Sequence, residues 1–231
     1  MLSSSLDIIK KEPVILLPML IEFVTSITLT HLLGLFFPQL TNSLLPHLSN
    51  RLQDVLVSLI AALAVGITLQ PVVYGMYPLM VKNTVDKSNI DLRAAFRKAV
   101  NRYPSLLLAL ILVYLKVLIG TLLLILPGIY WLMGYYVTIP AVMLENRGGR
   151  DGMSASMSFS RNRKWRIFGL LLITSPPAYL GQAILRYFMN PVPIIASTIF
   201  DLTIGLVLYV LGVVMCSYTY IRYGMIKLKE Q

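Results

Sequence analysis

Long apolar stretches alternate along the chain with short segments that gather its charged and polar residues. The apolar runs cover residues 13–37, 55–81, 104–126, 128–145, 166–187 and 194–221. A membrane helix needs about 20 mainly apolar residues, with roughly 17–25 as the working range, so these runs predict six spans. The fourth is short, and the second and sixth are long enough to tilt or extend into the interface. The third and fourth form an apolar hairpin that turns at Pro127-Gly128. The first run follows Lys10 and Lys11 in the manner of a secretory signal. It is too long for one and ends in no small-x-small cleavage site, so an uncleaved first helix is expected.

Three polar segments precede pairs of spans. Residues 2–12 place Leu2, Leu6 and Ile9 on one helical face, with Ser3, Ser4 and Ser5 available as caps. In residues 90–103, Leu92, Phe96, Ala99, Val100 and Tyr103 fall within about a third of a helical circumference. Arg93, Arg97, Lys98 and Arg102 spread over the rest, the pattern of a helix lying on a membrane surface. In residues 151–164, Met153, Ala155, Met157 and Phe159 alternate with serine, which on period alone is a strand. An isolated strand beside a bilayer leaves its backbone unpaired, so a short Ser/Ala-rich helix starting at Asp151 is the expectation. The segments and the spans that follow them repeat as 2–54, 90–145 and 151–222, a similarity of pattern within one membrane domain over 1–231. The predicted fold is an all-α integral membrane protein: six transmembrane helices as three hairpins, each preceded by a short basic or amphipathic surface helix.

Composition agrees with that pattern. Of 231 residues 57% are hydrophobic and 13% charged, with mean hydropathy +0.74, whereas soluble domains carry roughly 25% charged residues. Net charge is +10, and its placement decides orientation. Seventeen of the Lys and Arg residues fall on the side of the two tails and the 82–103 and 147–166 connections, against Arg51 and Arg186 on the other. By the positive-inside rule both termini are expected in the cytoplasm, in a multi-pass protein of the cell membrane. The basic segments adjoin spans, so anionic headgroups rather than nucleic acid are their expected partner. Arg97, Lys98, Arg102, Arg161, Arg163, Lys164 and Arg166 form the candidate lipid face, with a membrane or cytoplasmic protein as the other candidate partner.

Catalytic patterns are missing from the sequence. It contains no H-E-x-x-H, no Cys/His cluster and no Gly-rich phosphate loop. Its single cysteine, Cys216, forms neither an intramolecular disulfide nor a thiolate cluster. His31 and His47 have no carboxylate at ligand spacing, so no metal or other cofactor is expected. Asp151-Gly152-x-x-Ala155 matches the start of the D-G-x-x-A-R motif of CDP-alcohol phosphatidyltransferases. Ser156 stands where the Arg should be and no later aspartate pair follows, which rejects that reading.

Charge within the apolar runs is the remaining chemistry. A charge at mid-bilayer costs about 2.5–3.5 kcal/mol on insertion scales. Glu22 lies about 13 Å into the first span, and Lys116 and Gln70 each lie about 18 Å from the same face. A Glu22–Lys116 pair follows from those depths, either fixing helix rotation or forming, with Gln70, a polar relay or substrate site. Arg186 and Asp201 fall at similar depths near the other face and form a candidate rim contact. Pro18, Pro71, Pro140, Pro176 and Pro177 interrupt spans, as in the broken helices of transporters, although proline is also common in membrane helices. Tyr130, Trp131, Tyr135 and Tyr136 are assigned to packing or interface anchoring, with a ring-stacking ligand site as the alternative.

Leu126-Pro127-Gly128-Ile129-Tyr130, then Ala141-Val142-Met143-Leu144-Glu145, then the small-residue segment with Ser158, Arg161 and Arg163, resembles one broad family. It is similar to the membrane domain fused to some glycerophosphodiester phosphodiesterases and to stand-alone prokaryotic relatives of unassigned function. Lys10-Lys11-Glu12-Pro13-x-x-Leu16-Leu17-Pro18-Met19-Leu20 and residues 91–104 fit the same layout. In fused members the chemistry belongs to the soluble domain, so the resemblance implies a membrane module and carries over no catalytic residue. The expected function is a non-enzymatic module engaging anionic lipid or a protein at its basic cytoplasmic face. The alternative is a small transporter with a mid-membrane site at Glu22, Gln70 and Lys116.

Overall fold

The computed structural model describes residues 2–44, 50–174 and 209–223, and the regular structure among them is helical. Helix α1 spans Leu2–Lys11, and a 3-10 turn over Pro13–Leu16 leads into α2, Leu17–Leu44. Helices α3 and α4 are Asn50–Thr68 and Gln70–Val85; α5 and α6 are Leu92–Asn101 and Tyr103–Leu123. Then come α7, Ile125–Gly134, α8, Thr138–Leu144, α9, Gly149–Ser160, and α10, Lys164–Thr174. A helix over 209–223, here α11, completes the described residues. Pro13–Phe36, Tyr103–Leu123 and Ile125–Leu144 are long and apolar enough to cross a membrane, and Val55–Thr68 with Gln70–Val85 adds a fourth span if the bent pair counts as one. The fold is thus that of a multi-pass helical membrane protein. The expected fifth and sixth spans run into residues outside those described.

Most prolines of the described helices stand near a helix start, although Pro78 is buried inside α4. Pro71 and Pro104 stand at the start of α4 and α6, positions at which proline's fixed φ suits a helix. Pro18, Pro127 and Pro140 likewise fall in the first turns of α2, α7 and α8. Pro18 therefore interrupts nothing, contrary to expectation. Pro71 does: the run 55–81 bends by 45° between α3 and α4. The 128–145 run is also broken, between α7 and α8, and the third-to-fourth hairpin turns at extended Leu124 rather than at Pro127-Gly128. The 38–54 connection shortens, because α2 continues through Pro38 to Leu44 and α3 starts at Asn50.

The core forms around α4. From Pro71 to Val81 nearly every side chain is buried, against Ile15, Ala95, Ala99, Leu106, Val142, Met143, Val210 and Val214. Its neighbours expose their other faces: Leu35, Phe36, Leu122, Leu126 and many more large apolar residues stand outward on α2, α6 and α7, as lipid-facing residues do. In α1 the inward residues are Ser5 and Ile8, with Leu6 exposed, so its buried side is rotated from the expected Leu2-Leu6-Ile9 face.

The third polar segment differs most from expectation. It is a helix, as its serines and alanine predict, but α9 is not a flat surface helix. Its glycines allow it to lie against two others. A Cβ on Gly149 would come 2.6 Å from the Ser105 carbonyl oxygen, and one on Gly152 would collide with Val142. From there α9 passes Leu112 and Lys116 of α6 and reaches the α7–α8 break, where Ser156 Oγ donates to the Gly134 carbonyl (2.9 Å) and accepts from Val137 N–H (3.2 Å).

Helices α6 and α7 meet through Gly120 and Gly128. A Cβ on Gly128 would lie 2.9 Å from Thr121 Cα, and one on Gly120 would lie 3.0 Å from Gly128 Cα. Backbone cannot move aside as a side chain can, so Gly128→Ala is expected to lower thermal stability in detergent by about 1–3 kcal/mol. Gly34→Ala is the control, since nothing lies within 4 Å of its added Cβ, and there the change should be neutral or stabilising. Equal effects at the two sites would show that the α6–α7 contact is looser than this.

Candidate functional site

The intramembrane candidates fall into two places. Glu22 on α2 is buried, with Oε2 lacking a hydrogen-bond partner among the described residues. Its carboxylate lies close enough to Tyr77, Tyr114 and Tyr209 to act on them electrostatically. Gln70, placed at the start of α4 by the bend, donates from Nε2 to Tyr74 Oη (2.9 Å) and Tyr114 Oη (3.4 Å). The Tyr74 and Tyr209 rings stack at 5.7 Å. Glu22 and Gln70 thus share a tyrosine-rich cluster between α2, α4, α6 and α11.

Lys116 is elsewhere. Its Nζ donates to Tyr135 Oη at 3.1 Å and lies 5.2 Å from the centre of that ring. The expected Glu22–Lys116 pair does not form: among the described residues the ion pair is Arg147–Glu145. The depths were suited to pairing but the direction was not. At 3.6 residues per turn, Lys116 points about 200° around α6 from Tyr114, and it is Tyr114 that faces Gln70. Lys116 faces α9 instead, in a cleft of ≈ 450 Å³ between α6 and α9 that also holds Arg150.

The basic stretches differ in their surroundings. Asp91 caps α5, its Oδ1 accepting from Ala94 N–H at 3.0 Å. The apolar arc of α5 is divided: Ala95 and Ala99 are buried, whereas Phe96, 52% exposed, and Val100 face outward. Arg93, Arg97 and Lys98 are exposed, and Arg102 donates to the Asn146 carbonyl at 2.9 Å. In the second stretch, Arg163 lies 4.7 Å from the Phe159 ring centre and 5.7 Å from that of Tyr223, and Lys164 covers Tyr130 at 2.9 Å. Those two cations pack on the flank of the bundle. Arg161 and Arg166 are exposed, beside Trp165 at 86% exposure. The structure therefore seats α5 on α4 and α6, and residues 161–166 on α7 and α11.

Several contributors were not singled out from sequence. Glu145, at the end of α8, accepts from Tyr220 Oη and Arg147 Nε, and its hydrogen bond holds the Arg147 guanidinium above its usual value. Tyr74, Tyr77, Tyr114 and Tyr209 around Glu22, and Arg150 and Ser154 beside Lys116, were likewise passed over; only their distance in sequence separates them from ordinary packing residues. No group of three or more His, Cys, Asp or Glu residues able to hold a metal occurs among the described residues. His47, Arg186, Asp201, Pro176 and Pro177 lie outside them. Comparisons with protein-family models, curated proteins and solved structures find no match to this chain.

With Glu22 and Lys116 on opposite sides of α6 and sharing no partner among the described residues, their neutralisation should be additive. The Glu22→Gln/Lys116→Gln double variant is expected to change stability by the sum of the single effects, within about 0.3–0.5 kcal/mol. A thermal-unfolding cycle in detergent with a coupling well above that would restore the direct pair.

Proposed function

We propose that the protein is a non-enzymatic membrane module that engages anionic lipid at a basic cytoplasmic face, with both termini on that side. The supporting observation is the divided arc of α5. Its alanines fit against the bundle while Phe96 and Val100 are left outward beside Arg93 and Arg97. A helix of that kind places aromatic and aliphatic groups at the acyl boundary and cations at the headgroups. Trp165, exposed between Lys164 and Arg166, belongs to a residue type favoured at the same level. The 17-to-2 division of Lys and Arg supports the orientation, and the resemblance to phosphodiesterase-linked membrane domains supports a module without its own chemistry.

The test combines topology with lipid content. In a Cys216→Ser background, a cysteine at Arg97 should resist an impermeant thiol reagent added to intact cells, and one at Asn50 should react. With that established, replacing Arg93, Arg97 and Lys98 by Gln should reduce copurified anionic lipid, each cation contributing about 1 kcal/mol near a charged leaflet. The difference should shrink as salt rises. Reversed labelling would sink the orientation. Equal anionic-lipid content at low salt would sink the lipid reading and leave a protein partner for this face.

A small transporter is the second reading, and Glu22 is the observation that favours it. A buried acid with an oxygen left unbonded by the described residues, among tyrosines, is unusual in a purely structural role. The site would then be Glu22, Gln70 and their tyrosines, without Lys116. Solute or proton flux in proteoliposomes that Glu22→Gln leaves unchanged would exclude it.

A further inference from the structure

The cleft between α6 and α9 has the chemistry of a specific site, apart from the α5 surface. Among the described residues two cations line it, Lys116 from α6 and Arg150 from the first turn of α9, and no carboxylate does. Tyr135 and Ser154 add hydroxyls, while Leu112, Met153 and Met157 supply apolar wall. An ammonium has three hydrogens to donate, and only the bond to Tyr135 is made among the described residues. Lys116 lies about 20 Å along α6 from Tyr103, within a helix able to cross a membrane. Water is scarce at such a depth, so a cation there calls for an anion. The nearest described ion pair, Arg147–Glu145, is made without either of these cations.

We propose that this cleft binds one phosphate-bearing amphiphile. Its anionic headgroup lies between Arg150 and Lys116, and the beginning of its apolar chain lies along Leu112, Met153 and Met157. The ≈ 450 Å³ is within the range of specific small-molecule sites, roughly 300–1,000 Å³, and holds a headgroup with the first part of its tail. The apolar wall distinguishes the site from one for a free inorganic anion, which has no use for two methionines and a leucine. A guanidinium can bind phosphate oxygens in pairs and an ammonium acts as a point charge, so the two cations contribute unequally to orientation and both to charge.

The experiment uses the full chain in phosphatidylcholine nanodiscs doped with phosphatidic acid, with bound lipid counted by native mass spectrometry. One phosphatidic acid should persist on the wild type after dilution into pure phosphatidylcholine. Its affinity should fall at least about tenfold in Lys116→Gln and in Arg150→Gln, and remain in Lys116→Arg and in Arg97→Gln. Folding of each variant is checked by thermal unfolding. A parallel titration with inorganic phosphate separates the sources: displacement of the lipid only by phosphatidic acid identifies an amphiphile site. Full displacement by inorganic phosphate at comparable concentration would overturn the amphiphile assignment. If Lys116→Gln does not fold, protection of Lys116 from acetylation in wild-type protein gives the same answer. Retention of the lipid by folded Lys116→Gln and Arg150→Gln, or acetylation of Lys116 unaffected by phosphatidic acid, would refute the site. Arg97→Gln acts only on the α5 surface, so failure here and failure of the lipid-face reading are read separately.

Discussion

Hydrocarbon offers no hydrogen bonds, so every backbone group that a helix break releases has to be met by another part of the protein. Two prolines impose that condition here. Pro71 lacks the N–H that would bond the carbonyl of Ile67, and Tyr103 Oη donates to that carbonyl at 2.6 Å. Pro140 deprives the Tyr136 carbonyl in the same way, and Cys216 Sγ donates to it at 2.9 Å. At the same break Thr138 Oγ1 donates to the Tyr135 carbonyl, and Ser156 bridges Gly134 and Val137. Each substitute donor comes from a different element. The breaks are therefore the joints that fix α6 to α3–α4, and α9 and α11 to α7–α8.

The candidate sites are consequences of those joints. The bend at Pro71 begins α4 at Gln70 and directs that side chain to Tyr74 and Tyr114 rather than along a continuing helix. The break after Gly134 turns Tyr135 toward Lys116 and admits α9, whose glycines bring it near enough to α6 to form the far wall of the cleft. Alanine or leucine at Gly149 or Gly152 would push α9 away, and Arg150 with it. Packing and chemistry are coupled through small residues, as is usual where membrane helices approach closely.

Much of this was legible in the sequence because it depends on one coordinate, position along a helix. Apolar run length predicted the helices Pro13–Phe36, Tyr103–Leu123 and Ile125–Leu144, and small-residue content predicted a packed helix for α9 where alternation alone gave a strand. Rise per residue is the basis on which Glu22, Gln70 and Lys116 were expected at similar depths. Rotation about the axis was not legible, since lipid-facing and protein-facing positions are equally apolar. Lys116 and Tyr114 differ by two residues in sequence and by nearly half a turn in direction, which separates a pair with Glu22 from a bond to Tyr135. The same ambiguity hid the division of α5, where Phe96 and Ala95 both count as apolar although only Ala95 is buried. Cys216 was set aside for want of a second thiol, yet its role needs none: the carbonyl it serves is freed by a proline far away in sequence.

Separating Lys116 from Glu22 also changes what each can be for. An acid and a base in contact offset each other and can serve as scaffold, much as Glu145 and the exposed Arg147 do at the end of α8. Apart, neither has that use. Glu22 sits among hydroxyls that can donate to it but carry no compensating charge. Lys116 looks into an open cleft that, among the described residues, holds a second cation and no acid. The arrangement leaves an acid and a base apart inside the helical region, on opposite sides of α6. An acid and a lysine that do not pair with each other are costly scaffold there, since aliphatic residues would pack more cheaply. The physical argument for binding thus comes less from either residue than from their being kept apart, and it is the base, with its cleft and apolar wall, that has room for a ligand.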